Sequence, residues 1–259
     1  MPIGDYTYPF YQSRAARLVV RLLGTPDLHS HLRIAPVLDF FKRHVRPDVT
    51  VSVLEVGCGS GLNLFELGRL ADVRAVGYDL KPEAIAVANE IAGRVGAGRV
   101  EFYCRDAALI EETRTFDWLL LIDVLEHVET PGQLLEKLDA NVKEGGLVLI
   151  SVPTPCYPRV FGEAFHREVG HVVDGYRLAA LDRLLPAPYE RLAYQYTTGL
   201  VASLGCALYY RFARTLKPKP LRWMAGTLLL PFKWLDFINN ERVSCSLFAA
   251  YRKGMTTSA

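Results

Sequence analysis

The chain has 259 residues, enough to bury a full core in one domain with elaborations. Half of the residues are apolar and 22% are charged, which excludes a disordered chain, and a net charge of +2 gives no whole-protein case for nucleic-acid binding. The five cysteines are scattered, with no C-x-x-C pair, so reduced thiols and no metal site are expected; no run of about 18 uncharged apolar residues suggests a membrane-spanning helix.

The opening residues, MPIGDYTYPFYQ, have neither a basic nor an apolar leader region, so no secretory signal is expected and a cytoplasmic setting is. Tyr6, Tyr8, Phe10 and Tyr11 either close over a ligand as a lid or pack on a sheet face. Residues 1–48 are expected to form N-terminal cap helices. Val51, Val53, Leu54 and Val56 predict a buried strand, which Glu55 interrupts. Gly57, Gly59 and Gly61 follow at alternate positions, and Leu62–Leu70 predicts a helix. A strand running through glycines into a helix predicts bare backbone N–H groups facing a ligand.

Further strands are predicted at Val73–Tyr78, Val100–Tyr103, Phe116–Ile122, Leu147–Val152, Arg191–Thr197 and Ser244–Tyr251. Helices are predicted after Pro82, over Pro131–Val142 with Gly145-Gly146 as a stop, and over Tyr176–Leu185. Continuously apolar strands separated by helices imply an α/β fold, a mostly parallel sheet covered on both faces. Ligands in such sheets sit beyond the carboxyl ends of the strands, and Glu55, Asp79, Asp106 and Asp123 all fall there.

The dinucleotide fingerprint needs a glycine at the sixth place of the turn, and Leu62 stands there. An acid followed by G-x-G-x-G, as in VLEVGCGSG, instead resembles motif I of the class I S-adenosylmethionine (SAM) methyltransferases. The resemblance covers roughly residues 36–198 and the last strand. It implies a seven-stranded Rossmann-like sheet, SAM as methyl donor and S-adenosylhomocysteine as product. The loop Gly57, Cys58, Gly59, Ser60 and Gly61 would pack against the methionine part of SAM. Asp79, followed by Leu80, would hold the ribose hydroxyls, and its spacing of 22 residues from Gly57 is one βαβ step. Asp106 with Ala107 would meet the adenine edge. Glu55 would order the methionine amino group, and Asp123 with Val124 would lie beside the methionine end.

LIDVLEHVETPGQLLEKL and GGLVLISVP resemble the branch that contains quinone, small-metabolite and sugar methyltransferases. Amino-methyltransferases of nucleic acids carry an Asn/Asp-Pro-Pro-aromatic run where this chain has Asp123-Val124-Leu125. The expected acceptor is therefore a small or lipid-linked molecule methylated on oxygen, with carbon and nitrogen open, and no nucleic acid. A catalytically silent SAM-binding protein and an NAD-dependent oxidoreductase are the alternatives.

A hydroxyl acceptor needs a base, and histidine titrates near neutral pH. His127 follows Asp123 by four residues, while His166 and His171 follow the fifth strand. Each is a catalytic candidate, and each could instead be a structural hydrogen-bonder. His29 and His31 lie in a segment that covers SAM in the family, and His44 reads as solvated.

Between the core, residues 49–198, and a final strand at 244–253 stands a helical insertion at 199–243. From Gly199 to Ile238 it holds Arg211, Arg214, Lys217, Lys219, Arg222 and Lys233 against Asp236 alone. Trp223, Leu228, Leu229, Leu230, Phe232, Trp234 and Phe237 need cover from the protein's own core and acceptor pocket, from a second copy in a homodimer, or from a membrane surface.

Overall fold

A computed structural model describes residues 28–46, 48–106, 109, 112–212 and 219–255. The strands are Val51–Val56 (β1), Val73–Asp79 (β2), Val100–Cys104 (β3), Phe116–Ile122 (β4), Val142–Pro153 (β5), Tyr189–Thr197 (β6) and Ser246–Lys253 (β7). They form one sheet in the order β3-β2-β1-β4-β5-β7-β6. All pairings from β3 to β5 are parallel, and β7 runs antiparallel between β5 and β6. The expected seven-stranded, mostly parallel sheet is the one found.

Alternation along the strands sends neighbouring residues to opposite faces, and both faces are buried. Val53, Trp118 and Leu120 face the helices Leu28–His44 (α1), Leu62–Gly68 (α2) and Pro82–Val95 (α3). Leu54, Leu119 and Leu121 face Pro131–Asp139 (α4) and Leu178–Asp182 (α7). Leu54 and Leu120 are fully buried, and each such leucine contributes about 1.5–3 kcal/mol. This double cover is why β1 and β4 read as nearly unbroken apolar runs.

Several expected boundaries shift. The helix from Pro131 ends at Asp139, and β5 begins at Val142. Gly145 and Gly146 lie inside β5: the pairing with β4 steps from Phe116↔Val142 to Trp118↔Leu147, and Gly145 has φ +72°. The glycine pair is thus a bulge and not a helix stop. The expected Tyr176–Leu185 helix shrinks to α7, because Tyr176 is buried in the preceding loop with its hydroxyl donating to the Leu125 carbonyl at 2.8 Å. Ser244 and Cys245 precede the last strand.

A third apolar cluster sits above the sheet. Leu28 of α1, Tyr157 and Phe161 of Tyr157–Phe161 (α5), Cys206 of Leu200–Arg211 (α8) and Cys245 pack together, with Phe165 of Glu163–Glu168 (α6) against them. Asp236 caps α8, accepting from Gly199 N at 2.8 Å and Ala202 N at 3.1 Å. The one acid between Gly199 and Ile238 therefore holds the first helix of the insertion in place. Lys219–Leu229 (α9) and a 3-10 turn at Leu230–Lys233 complete the helical part. Of the N-terminal cap, α1 is described; Tyr6, Tyr8, Phe10 and Tyr11 lie outside the described residues.

Candidate active site

The sheet order reverses between β1 and β4, so the loops after these strands face each other at the carboxyl edge. The loops touch: a Cβ added at Gly57 would lie 2.5 Å from Val124 Cγ2. Gly61 likewise has φ +81°, and its added Cβ would lie 2.5 Å from the Phe102 ring, so only glycine fits. Above Gly59 no atom lies within 4 Å of such a Cβ, so the loop opens to a ligand there.

The expectation of bare N–H groups is not met. Gly57 N and Cys58 N both donate to the Tyr78 carbonyl, at 2.7 and 2.9 Å. Gly59 N donates to Asp79 Oδ2 at 2.7 Å, and Gly61 N to the Cys58 carbonyl at 2.9 Å. The end of β2 lies against the loop and supplies these acceptors. The loop therefore offers shape and not a set of free donors, which suits a ligand with no phosphate at this point. Cys58 turns inward over Gly77, whose added Cβ would lie 2.8 Å from Sγ, and burial pushes its thiol far up. Its Sγ also lies 3.7 Å from the Gly59 carbonyl; Ser60 is half-buried beside it.

Asp79 is half-buried, and its second oxygen, Oδ1, accepts from Lys81 N at 2.9 Å. Leu80 and Asp106 are both exposed near it, Arg105 N donating to the Asp79 carbonyl at 3.0 Å. Ala107 lies outside the described residues. Glu55 is fully buried between Gly77 and Leu120 on the neighbouring strands. Asn63 Nδ2 donates to its Oε1, and among the described residues Oε2 has no partner. Burial raises its carboxyl to about 8, with Asn63 opposing and Asp79 adding. An orphaned buried oxygen beneath an open glycine loop fits a ligand that brings a donor, such as the amino group of SAM.

Across the crevice, α1 brings Arg33 into an ion pair with Asp123. Asp123 has φ +53°, rare for a residue with a side chain, and its N–H donates to the Ser151 carbonyl at 2.8 Å. Burial pushes its carboxyl up while Arg33 pulls it down. Sequence reading missed Arg33, which no local pattern links to a residue 90 positions away. It also passed over Glu126, whose burial and proximity to Asp123 hold its carboxyl well above the usual range. The signal available was an acid inside the apolar stretch VLEHV.

The three candidate histidines come together. His127 is exposed, and its Nδ1 lies 3.0 Å from the Gly170 carbonyl, which can only accept. Nδ1 therefore carries the proton, and Nε2 keeps its lone pair. His171 Nδ1 lies 3.1 Å from His166 Nδ1, and His166 Nε2 lies 3.2 Å from Asp174 Oδ1. A carboxylate accepts, so His166 carries a proton at Nε2; when its Nδ1 is unprotonated it accepts from His171, and His171 Nε2 is then left with a lone pair. Burial, then His127 and His166, lower His171 to about 4, so it is neutral at physiological pH. Glu126, His127 and His171 each offer one ligand atom, all within 4.8 Å of one another. Oxygen and imidazole ligands of this kind can take a divalent cation, where the sequence reading expected no metal. His31 is buried in α1, the side chain of His29 lies outside the described residues, and exposed His44 binds the Phe40 carbonyl at 2.8 Å.

Residues 47–172 match the family model described as a methyltransferase domain. The mitochondrial "Ubiquinone biosynthesis O-methyltransferase" of Saccharomyces cerevisiae is 36% identical over 110 residues, 41% of this chain and 34% of that protein. Its namesake in Parvibaculum lavamentivorans is 34% identical over 110 residues, 42% of this chain and 43% of that one. The alignments thus span less than half the length of these relatives. Among solved structures, coclaurine N-methyltransferase bound to N-methylheliamine and SAH has a TM-score of 0.61 at 14% identity, covering 85% of this chain and 70% of that one. The plantazolicin methyltransferase BpumL in complex with SAH has 0.56 at 17%, covering 97% and 95%. The cyclase SpnF has 0.62 at 18%, covering 85% and 81%. Likeness at this identity establishes the fold, and the reaction must be argued from the site.

Glu55 ties the site to stability. Its carboxyl ionises near 4.5 when unfolded and near 8 when folded. Below pH 4.5 both states are protonated and its contribution is whole; between 4.5 and 8 the unfolded state alone loses its proton, so stability falls as pH rises. The loss is about 5 kcal/mol at most. Urea unfolding at pH 5 and pH 8.5 should show this decline in the ligand-free protein and a shallower one in Glu55→Gln. Equal pH dependence in both proteins would contradict the assignment.

Proposed function

We propose that this chain, whose residues 47–172 match a methyltransferase-domain family, is a class I SAM-dependent methyltransferase that transfers a methyl group from SAM to an oxygen of a small-molecule acceptor. The observation that carries this reading is the arrangement around one crevice. The open glycine loop, Glu55 and Asp79 lie on one side, and two histidines with available Nε2 lone pairs lie on the other.

SAM supplies a methyl group on a positively charged sulfur that leaves as a neutral thioether. The chain's own residues must then bind, align and move one proton. Asp79 Oδ1, beside its bond from Lys81 N, would accept from a ribose hydroxyl, and Glu55 Oε2, which has no partner among the described residues, would accept from the amino group. Val124 and Asp123 bound the methionine end. As the new carbon–oxygen bond forms and the carbon–sulfur bond breaks, His171 takes the acceptor's hydroxyl proton at Nε2. His166 supports the ring at Nδ1, and Asp174 supports His166. Oxygen as the target is favoured by the O-methyltransferase relatives. An oxidoreductase reading is disfavoured, since the loop's N–H groups are spent within the protein and no pyrophosphate cradle is left.

We also propose that the insertion rests on a membrane surface and that the acceptor is apolar or lipid-linked. The protein's own core covers the insertion only in part: Cys206 and Leu230 are buried and Phe232 packs against the third cluster. Leu200, Leu204 and Leu208 form an exposed stripe along α8, and Leu228, Trp234 and Phe237 are 74%, 65% and 78% exposed. Leu230 is buried, Leu229 and Phe232 are half-buried, and the side chain of Trp223 lies outside the described residues. With basic residues interleaved, this is the composition of an interfacial surface. No described helix is long and apolar enough to cross a membrane.

His171→Ala and His166→Ala should each lower turnover about 100-fold or more while SAM affinity changes little. Unchanged turnover in both would remove histidine base catalysis from this loop. Cosedimentation with anionic liposomes at low salt should carry the protein into the pellet. Protein left wholly in the supernatant would end the membrane reading, and a concentration-dependent dimer would then assign the stripe to a second copy.

A further inference from the structure

Beyond the methyl-transfer crevice, a cavity of about 510 Å³ opens above the end of β5. Its lining is Pro155, Cys156, Arg159, Arg177, Glu241 and Arg242. None of these residues is among those assigned to the donor or to the base. The volume falls in the range of small-molecule sites.

Three segments build it, and β5–β7 pairing brings them together. Ser246 sits opposite Pro153, and Thr154 N donates to the Cys245 carbonyl at 3.0 Å. That places the turn carrying Glu241 and Arg242 against the start of α5, where Arg159 lies. Cys156 Sγ lies 3.1 Å from the Arg242 carbonyl, so the backbone of the turn faces the protein while its side chains line the cavity. Arg177, just before α7, closes the third side.

The charge of this lining is lopsided. Arg177 and Glu241 form an ion pair at 3.2 Å. Among the described residues nothing pairs with the guanidinium of Arg159 or of Arg242. Three guanidinium groups around one cavity repel each other unless an anion sits between them. Their planar forks match the paired oxygens of a phosphate, and arginine is the residue of choice for such contacts.

We infer that this cavity binds a phosphate- or diphosphate-bearing ligand through Arg159 and Arg242, with Arg177 held in reserve by Glu241. The site is separate from the crevice, but Cys156 adjoins Tyr157, whose ring lies 5.2 Å from that of His171. A phosphate held here therefore stands near the acceptor end of the molecule. The ligand's source is either a soluble phosphate ester or a lipid headgroup, and both present the same chemistry.

Calorimetric titration of inorganic pyrophosphate into the full chain at fixed ionic strength tests the inference, alongside cosedimentation with phosphatidylglycerol vesicles. The double variant Arg159→Gln/Arg242→Gln should weaken binding of the competent probe at least tenfold, with SAM affinity unchanged as the control for folding. Glu241→Gln, which releases Arg177, should tighten it severalfold. Arginine-dependent pyrophosphate binding assigns a soluble ligand; arginine-dependent vesicle binding alone assigns a lipid headgroup. Binding of neither probe, or equal binding by wild type and double variant, would overturn the site.

Discussion

The hydrogen bonds that seat the Gly57–Gly61 loop on the end of β2 are the constraint on which the rest depends. Tyr78 accepts two backbone N–H groups and Asp79 a third. They fix how the chain leaves β1, and so where Glu55 and Asn63 meet beneath the loop. They also orient Asp79, whose Oδ2 is engaged by the loop while Oδ1 faces Lys81 N. Gly77 makes the fit possible, because any Cβ there would strike Cys58. Four glycines thus serve one docking, three in the loop and one beneath it.

The electrostatics follow from burial. Glu55 and Glu126 lie out of water, and desolvation raises both carboxyls. Arg33 offsets Asp123 from a helix outside the sheet. The crevice therefore holds two acids whose ionisation burial suppresses and a nearby positive charge would favour. A sulfonium with an ammonium group meets that condition better than an anionic dinucleotide does. In the proposed mechanism, the chain from half-buried His171 through buried His166 to Asp174, whose side chain is 74% exposed, would give the acceptor's proton a route to solvent.

Much of this was legible in the sequence. The seven strands could be read because burial on both faces demands continuous apolar runs, and their ends moved by only a few residues. Asp79, Asp123 and the three histidines could be placed because each follows a strand or lies in a loop tied to one. The glycine pair at 145–146 misled, since a stop after a helix and a bulge inside a strand use the same residues. The loop's N–H groups misled because their acceptors lie on another strand. Arg33 with Asp123, and Arg159 with Arg177 and Arg242, left no linear trace. Such pairs exist only once β4, β5 and β7 bring distant segments to one edge. The insertion's composition was plain, but which of its apolar residues face outward depended on the packing of α8 against α1 and α5.

In the proposed reading, the insertion and the separate arginine cavity would serve an acceptor with an apolar part and a charged part. The central claim remains the donor. It is tested most directly by calorimetric titration of SAM and of NAD into the wild-type chain and into Asp79→Ala. The account predicts saturable SAM binding by the wild type, none of NAD, and loss of SAM binding in the variant. Full retention of SAM affinity without the Asp79 carboxylate, or binding of NAD in place of SAM, would contradict it.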